Sequence, residues 1–247
     1  MSSRLITVGV LCMCCWSVAQ QVDVPNATFE SGANTPAAWT LSGGSGTWLP
    51  AGTAGESRAI AVTGTGSDTN YWRSGNLPLL PARVYRLSFR ARSLGGSGGT
   101  PVTGPIFCNR DLGSVPDEWK TFQSIFATPP LIDPESAWLR FGQWHISGQI
   151  AFDDIALTEV EPVHRRQANL ELGAGESLEG RAYTFQAPLN GTSRNYSRAL
   201  SSFACGFNSN RWVFGANREV VYRHQVGNRQ QTEARIETGI RWHAGGE

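Results

Sequence analysis

Short stretches in which apolar and polar residues alternate recur along the chain. Residues two apart in an extended strand share a face, so this period of two predicts half-buried β-strands. The clearest stretches are SRAIAVTG (57–64), VYRLSFRARS (84–93), WKTFQSIFAT (119–128), AWLRFGQW (137–144) and IAFDDIALTEV (150–160). Segments rich in Gly, Ser and Pro separate them, and no segment keeps the 3.6-residue period of an amphipathic helix. The pattern predicts an all-β fold of the β-jelly-roll sandwich type.

A boundary is predicted near residues 161–169, where Pro162 and a run of basic residues follow the last long alternation. We therefore divide the chain into a first β-region (22–160), a linker (161–169) and a second β-rich region (170–247). The second region offers fewer strand patterns than the roughly seven that a sandwich uses. We expect it to be an incomplete second β-sandwich, with further domains of the same polypeptide beyond it.

Residues 1–19 have the pattern of a secretory signal peptide. Arg4 precedes an apolar run from Leu5 to Trp16, and small residues then lead to a cleavage site after Ala19. The run is too short to span a bilayer, so no membrane insertion is expected. We predict a secreted protein, extracellular or periplasmic.

The charge balance argues against partners that bind through electrostatic attraction alone. The chain has 21 basic and 20 acidic residues, and removal of Arg4 with the signal peptide leaves 20 of each. A neutral chain has no overall field to attract nucleic acid, so no nucleic-acid partner is expected. Cys108 and Cys205 are the cysteines that remain, and we expect two separate buried thiols.

No arrangement of residues in the sequence predicts catalysis. Glycoside hydrolysis needs two carboxylates that face each other across a cleft. The candidates lie in turns without a surrounding motif: Asp111, Asp117, Glu118, Asp133 and Glu135. The histidines are far apart in the chain and accompany no nucleophile motif: His145, His164, His224 and His243. We expect no catalytic residues within this chain.

Several pieces of residues 22–160 occur in a characteristic order. NATFESG (26–32) leads to AWTLSG (38–43), GESRAIAVTG (55–64) leads to VYRLSFRARS, and EWKTFQSIFAT (118–128) leads to AWLRFGQ and the closing IAFDDIALTEV. This order resembles the carbohydrate-binding modules of families 4, 9 and 22. The resemblance implies a galactose-binding-like β-jelly roll that binds a polysaccharide or oligosaccharide, often as an accessory module of a glycoside hydrolase.

Many modules of these families hold a structural Ca²⁺. The resemblance implies that Glu30, Glu56 and Asp153 are the ligands here, and oxygen donors from separate segments are what Ca²⁺ binds. Asp153 and Asp154 face opposite sides of a regular strand, but a bulge would exchange them, so either could be the ligand. Alternatively, both are edge-strand charges that oppose aggregation.

Sugar-binding members of these families stack pyranose rings on aromatic side chains. The resemblance places such aromatics at Trp72 and Phe107. Neighbouring positions and strand alternation add six candidates for the same cleft: Arg90, Asn109, Arg110, Trp138, Arg140 and Trp144. A tryptophan of a β-sandwich also commonly packs in the core. Both alternatives are open for Trp72, whereas packing is favoured for Trp138 and Trp144.

These observations lead to one hypothesis and two alternatives. The hypothesis is non-catalytic polysaccharide binding by a secreted, calcium-stabilised jelly-roll module of a larger carbohydrate-active protein. The first alternative is a structural or adhesive cell-surface module that binds no sugar. The second is the N-terminal part of a glycoside hydrolase whose catalytic residues lie outside this chain.

Overall fold

The alternating stretches form β-strands in the computed structural model, which describes residues 20–52, 57–190, 195–227 and 230–239. In chain order the strands are β1 Gln20–Val22, β2 Trp39–Ser42, β3 Ser45–Leu49, β4 Ala59–Thr65, β5 Thr69–Ser74, β6 Val84–Ser97, β7 Thr100–Pro105, β8 Cys108–Asp111, β9 Lys120–Ala127, β10 Leu139–Trp144, β11 Ser147–Glu159, β12 Arg165–Gln167, β13 Leu170–Leu172, β14 Glu176–Glu179, β15 Ala182–Phe185, β16 Leu200–Phe203, β17 Gly206–Asn208, β18 Arg211–Val213 and β19 Val220–Tyr222. A 3₁₀ turn at Pro134–Ser136 precedes β10, and no α-helix occurs in these ranges.

Two sheets pack face to face and enclose the core. One has six strands in the order β3-β4-β11-β6-β9, with β1 paired to the end of β11. The other has seven strands in the order β18-β17-β8-β7-β10-β5-β2. Neighbouring strands are antiparallel except β17 and β8, which are parallel. The prediction of an all-β jelly-roll sandwich is confirmed.

Aromatic side chains from both sheets meet at the centre of this core. Phe141 of β10 contacts Phe89 of β6 edge to face, with 5.0 Å between ring centroids. It also contacts Phe152 of β11 at 5.5 Å and Trp39 of β2 at 5.9 Å. Phe89, Phe141 and Phe152 are fully buried, as the period-two pattern of their strands requires.

Strand β11 carries a bulge within the segment that holds two adjacent carboxylates. Its register against β6 shifts between Asp153 and Ala156, and Asp154 takes a positive φ of 52°. Before the bulge Phe152 faces the core, and after it Ile155 and Leu157 do. The extra residue therefore reverses the alternation, which keeps apolar side chains inside along the whole strand.

The strands after residue 160 form short pairs and also extend the seven-stranded sheet. β12 pairs with β13, β14 with β15, and β16 with β19. β17 adds to β8 and β18 adds to β17. Phe207 of β17 joins the core of the two sheets, so part of the second region packs with the first. The division at 161–169 stays a prediction.

A buried ion pair joins the β14–β15 pair to the segment before β16. Glu176 of β14 accepts from Arg198 Nε at 2.6 Å and Nη2 at 2.5 Å, and from the Tyr183 hydroxyl at 2.6 Å. These bonds lower the pKa of the Glu176 carboxyl, although its burial acts in the opposite direction.

Cys108 and Cys205 are both buried and form no disulfide, which confirms the prediction of two separate thiols. Within the described ranges, no helix has the length and apolar character needed to cross a bilayer. The predicted signal peptide at 1–19 lies outside the described residues.

Asn195 ties the second region to the edge of the six-stranded sheet. Its side chain accepts from the Ala127 amide at 2.8 Å and donates to the Ala127 carbonyl at 3.0 Å, and Asn195 is 1% exposed.

An Asn195→Ala variant leaves these backbone groups without partners, so we expect a loss of about 1–3 kcal/mol in the free energy of unfolding. Chemical denaturation measures it. Asn190→Ala, at an exposed position, is the control, and equal stability of both variants would contradict the contact.

Candidate functional site

The side of the seven-stranded sheet that faces away from the core carries the candidate site. Because Trp72, Leu139 and Phe141 point inward, their neighbours in β5 and β10 point outward. We call this surface the outer face. Its residues are Thr40, Tyr71, Arg73, Asn109, Asp111, Arg140, Gly142, Trp144, Asn208 and Arg211.

A row of hydrogen-bonded polar side chains crosses the strands of the outer face. Arg140 Nη2 of β10 donates to Asn109 Oδ1 of β8 at 2.7 Å. Asn109 Nδ2 donates to Asp111 Oδ1 at 2.7 Å and to Asn208 Oδ1 of β17 at 2.9 Å. Arg211 of β18 stands opposite Asn208 in the register. These hydrogen bonds hold side chains from three strands, β10, β8 and β17, in one arrangement.

Aromatic rings lie beside this row. Tyr71 of β5 stacks on Trp138, with ring centroids 5.9 Å apart and planes 9° apart. The Arg73 guanidinium lies 4.6 Å from the Trp138 ring centroid, and Trp138 Nε1 donates to the Glu135 carbonyl at 2.9 Å. Trp138 is only 5% exposed. It therefore supports Tyr71 and Arg73, and Tyr71 is the ring that reaches the surface.

Gly142 of β10 allows Tyr71 to lie against the sheet. Gly142 stands opposite Tyr71 in the register, and a Cβ added at Gly142 would lie 2.3 Å from the Tyr71 Cβ and 2.3 Å from the Asn70 carbonyl oxygen. A residue with a side chain at this position would push the two strands apart.

Trp144 stands at the far end of the outer face, at the last position of β10. It is 51% exposed and stacks on His145 at 4.2 Å between ring centroids. Four residues of strand separate it from Arg140, which corresponds to about 13 Å. The outer face thus offers two aromatic surfaces, Tyr71 opposite Gly142 and Trp144 at the end of β10.

Arg140 lies in an unusual electrostatic position for an arginine. Burial lowers the pKa of its guanidinium, and nearby Tyr71 and Asp111 act against this shift. Its Nε is buried and has no hydrogen-bond partner. An arginine stays protonated even so, which leaves a positive charge with unused donor capacity at the centre of the outer face.

Trp72 packs in the core. It is 3% exposed, and its Nε1 donates to the Ala61 carbonyl at 2.9 Å. The prediction that Trp72 is a sugar platform is therefore corrected: the aromatic on the outer face is its half-buried neighbour Tyr71, because successive residues of a strand face opposite sides.

Three further predicted residues do not reach the outer face. Phe107 packs edge to face on Phe126 and lines a separate apolar cavity of about 690 Å³. Arg110 points between the sheets and donates to the Gln123 carbonyl of β9. Arg90 lies on the opposite sheet, where it pairs with Asp154 at 3.0 Å. Asn109, Trp138, Arg140 and Trp144 are the predicted residues that the structure does bring together.

Two of the three predicted calcium ligands approach one short segment. The Ser57 hydroxyl donates to Asp153 Oδ2 at 2.7 Å, and the Arg58 amide donates to Glu30 Oε1 at 2.8 Å. Glu56 directly precedes this segment and lies outside the described residues. In the part of the chain that the structure describes, no cluster of three His, Cys, Asp or Glu side chains forms.

Asp153 is a buried carboxyl without an ion-pair partner among the described residues. Burial raises the pKa of its carboxyl to about 6, against the lowering effect of hydrogen bonds from Ser57 and the Asp154 amide. A cation would favour the ionised form. The bulge places Asp153 in this buried position and turns Asp154 toward Arg90 at the surface.

Several outer-face residues were not among the sequence candidates for the binding cleft: Tyr71, Arg73, Asp111, Asn208 and Arg211. The signal for Tyr71 and Arg73 was present, because both alternate with Trp72. Once Trp72 faces the core, its two neighbours must face outward. Asn208 and Arg211 had no local signal, since the parallel pairing of β17 with β8 joins residues 99 positions apart.

Comparisons with known proteins find only distant similarity to solved structures. No family model matches the chain, and no curated protein matches it. A cyclase from Fischerella sp. TAU is 16% identical, with 60% of this chain and 100% of that chain covered and a TM-score of 0.45. The CBM22-1 xylan-binding domain from Paenibacillus barcinonensis Xyn10C is 16% identical, with 59% of this chain and 100% of that chain covered and a TM-score of 0.41. A CBM4 structure is 18% identical, with 56% of this chain and 100% of that chain covered and a TM-score of 0.38. Similarity this low assigns no function.

Substitution of Trp72 tests which residues of β5 face the core and which lie on the outer face. Because its indole fills the core and donates to Ala61, we expect Trp72→Ala to lower the free energy of unfolding by about 3–5 kcal/mol. Tyr71→Ala, one position away, is the matched control and should cost far less. Urea denaturation of both variants measures the difference, and a larger loss for Tyr71→Ala would show that the register is shifted by one residue.

Proposed function

We propose that the outer face binds a polysaccharide or oligosaccharide without catalysis. The observation that supports this most directly is the combination on one surface of an ordered polar row, Arg140–Asn109–Asn208, with the half-buried ring of Tyr71 and the exposed ring of Trp144. Pyranose rings present apolar C–H faces that pack on aromatic rings. Their hydroxyl groups require donors and acceptors held in fixed positions.

The polar row suits hydroxyl recognition because its members support one another. Asn109 uses its amide nitrogen toward Asp111 and Asn208 and its oxygen toward Arg140, so its orientation is set by three bonds. The hydrogen-bonding groups of Arg140, Asp111 and Asn208 that this row leaves unused would bind the hydroxyl groups of a ligand. Side chains already held in place lose little conformational freedom on binding, which favours affinity.

The proposal includes a structural Ca²⁺ beside the bulge of β11. Asp153 and Glu30 would hold it, with Glu56 and backbone carbonyls completing the site. The buried, unpaired carboxyl of Asp153 supports this, because a bound cation supplies the countercharge that burial denies it. The ion would fix the segment after residue 56 against the six-stranded sheet. It has no part in ligand binding, since Asp153 lies on the sheet opposite the outer face.

The proposal extends to the cellular setting. Export by the signal peptide at 1–19 would place the protein where polysaccharides occur, and a binding module of this kind holds an attached enzyme near its substrate. Further domains of the same polypeptide would then supply catalysis.

The binding function is tested by affinity electrophoresis in gels that contain soluble xylan, β-glucan, mannan, pectin or alginate. We expect retardation by at least one polymer and a loss of affinity of about tenfold or more in Tyr71→Ala and in Trp144→Ala, which corresponds to about 1.4 kcal/mol. Trp119→Ala is the control, because Trp119 lies on the opposite sheet beside Arg90. If no polymer retards the protein, or if Trp119→Ala loses as much affinity, the outer face is not a glycan site.

The calcium site is tested by thermal unfolding with millimolar CaCl₂ and with chelator. An ion at one hundred times its Kd would stabilise the native state by about 2.7 kcal/mol, so the melting temperature should rise by several degrees. Asp153→Asn should abolish that rise. The neighbouring Asp154→Asn should retain it, because Asp154 pairs with Arg90. The assignment is wrong if calcium leaves the wild-type melting temperature unchanged, or if Asp154→Asn is the variant that loses the response.

A further inference from the structure

The arginines of the outer face form no ion pair with a carboxylate among the described residues. In the described ranges, ion pairs are formed by Arg83, Arg90, Arg166, Arg198 and Arg235. Arg73 and Arg140 are absent from them, and so is Arg211. Arg73 makes only a long contact of 3.5 Å with Asn76 Oδ1, and its guanidinium rests on Trp138. The outer face therefore holds positive charge that the fold does not neutralise.

Asp111 is the carboxylate that meets the polar row, and it offsets part of the charge of Arg140 from a distance without forming an ion pair with it. One of its oxygens accepts from the Asn109 amide at 2.7 Å. Asn109 stands between Asp111 and Arg140, so the carboxylate and the guanidinium are bridged through an amide and do not pair directly. Arg140 keeps its buried Nε without an acceptor. Because this Nε is closed to solvent, a ligand would meet the guanidinium through its terminal nitrogens, of which Nη2 already donates to Asn109.

The spacing of these charges fits an extended ligand. Arg73 and Arg140 are register partners on adjacent strands, and Arg211 lies four strands beyond Arg140. Strand spacing of about 4.8 Å places the row from Arg73 to Arg211 over about 24 Å. A guanidinium binds a carboxylate with two parallel hydrogen bonds, which gives both affinity and orientation.

We propose that the glycan bound by the outer face is acidic, and that the carboxylate of a uronic acid unit is held by Arg140 together with Arg73. This inference rests on the proposed function and adds the class of sugar to it. Tyr71, which contacts the support of Arg73, supplies the surface for the ring that carries the carboxylate. Asn109, Asn208 and Asp111 bind hydroxyl groups of neighbouring units.

A single-stranded nucleic acid also combines rings with negative charge, but the outer face suits it less well. Each nucleotide carries a phosphate, and proteins that bind such strands line the path with basic residues. Here the centre of the row consists of two amides and a carboxylate, and the whole chain has a net charge of only +1. An acidic glycan, whose carboxylates alternate with neutral ring faces and hydroxyl groups, matches this pattern.

The test compares each acidic polymer with its own neutral form. Polygalacturonate, alginate and glucuronoxylan are used beside the same polymers after chemical reduction of their carboxylates to primary alcohols. Affinity electrophoresis and titration calorimetry at 0.15 M salt (an ionic strength at which surface charges are screened beyond about 8 Å) measure the Kd of the full chain. We expect at least one acidic polymer to bind about tenfold or more tightly than its reduced form.

Variants test whether Arg140 and Arg73 cause the preference for acidic polymers. Arg140→Gln should remove most of it, and Arg140→Lys should restore it only in part, because lysine keeps the charge but not the planar fork. Arg73→Gln is the second variant, since Arg73 lies nearer the surface and its loss endangers the fold less. Arg86→Gln is the matched control: Arg86 is exposed on β6 of the opposite sheet. Melting temperatures verify that each variant is folded.

The outcomes separate this inference from the function on which it rests. Equal affinity for acidic and reduced polymers would overturn the acidic class and leave glycan binding intact. Absence of binding to every polymer would overturn both. Equal losses in Arg86→Gln and Arg140→Gln, or equally tight binding of dextran sulfate or a single-stranded oligonucleotide, would show unspecific charge attraction and overturn the assignment to the outer face.

Discussion

The packing of Phe141 against Phe89 and Phe152 is the contact on which the rest of the structure depends. It joins the centres of the two sheets, and all three rings are fully buried. A strand with Phe141 inside must carry residues 140 and 142 outside, since side chains alternate. The orientation of Arg140 is thus a consequence of core packing. The same burial of apolar side chains decides which residues of each strand lie on the outer face.

The outer face is assembled from segments that are distant in the chain. β5 supplies Tyr71 and Arg73, β10 supplies Arg140, and the second region supplies Asn208 through the parallel pairing of β17 with β8. Asn109 connects these contributions, because its side chain bonds to both Arg140 and Asn208. The second region therefore belongs to the site physically, and removing it would leave Asn109 with an unused donor and the sheet with a new edge.

The bulge in β11 resolves the question raised by two adjacent carboxylates in an apolar strand. A regular strand would place Asp154 on the core side, with Phe152. The bulge lets Asp154 reach Arg90 at the surface and leaves Asp153 in a buried pocket of its own beside Ser57. The result is one carboxylate neutralised by an arginine and one that burial keeps at a raised pKa. A buried carboxylate without a countercharge destabilises the fold, and a bound cation would supply that countercharge.

The sequence by itself determined that the chain forms strands of a sandwich and which residues share one face of a strand, such as Leu87 and Phe89, because period-two alternation is a local property of the chain. It also identified Arg140, Asn109 and Trp144 as members of one surface. Only the tertiary structure decided that Trp72 is core and Tyr71 is not, that Arg90 belongs to the opposite sheet, and that Asn208 joins the site. Alternation defines two faces of each strand, but which face is buried, and which strands become neighbours, depends on how the two sheets pack.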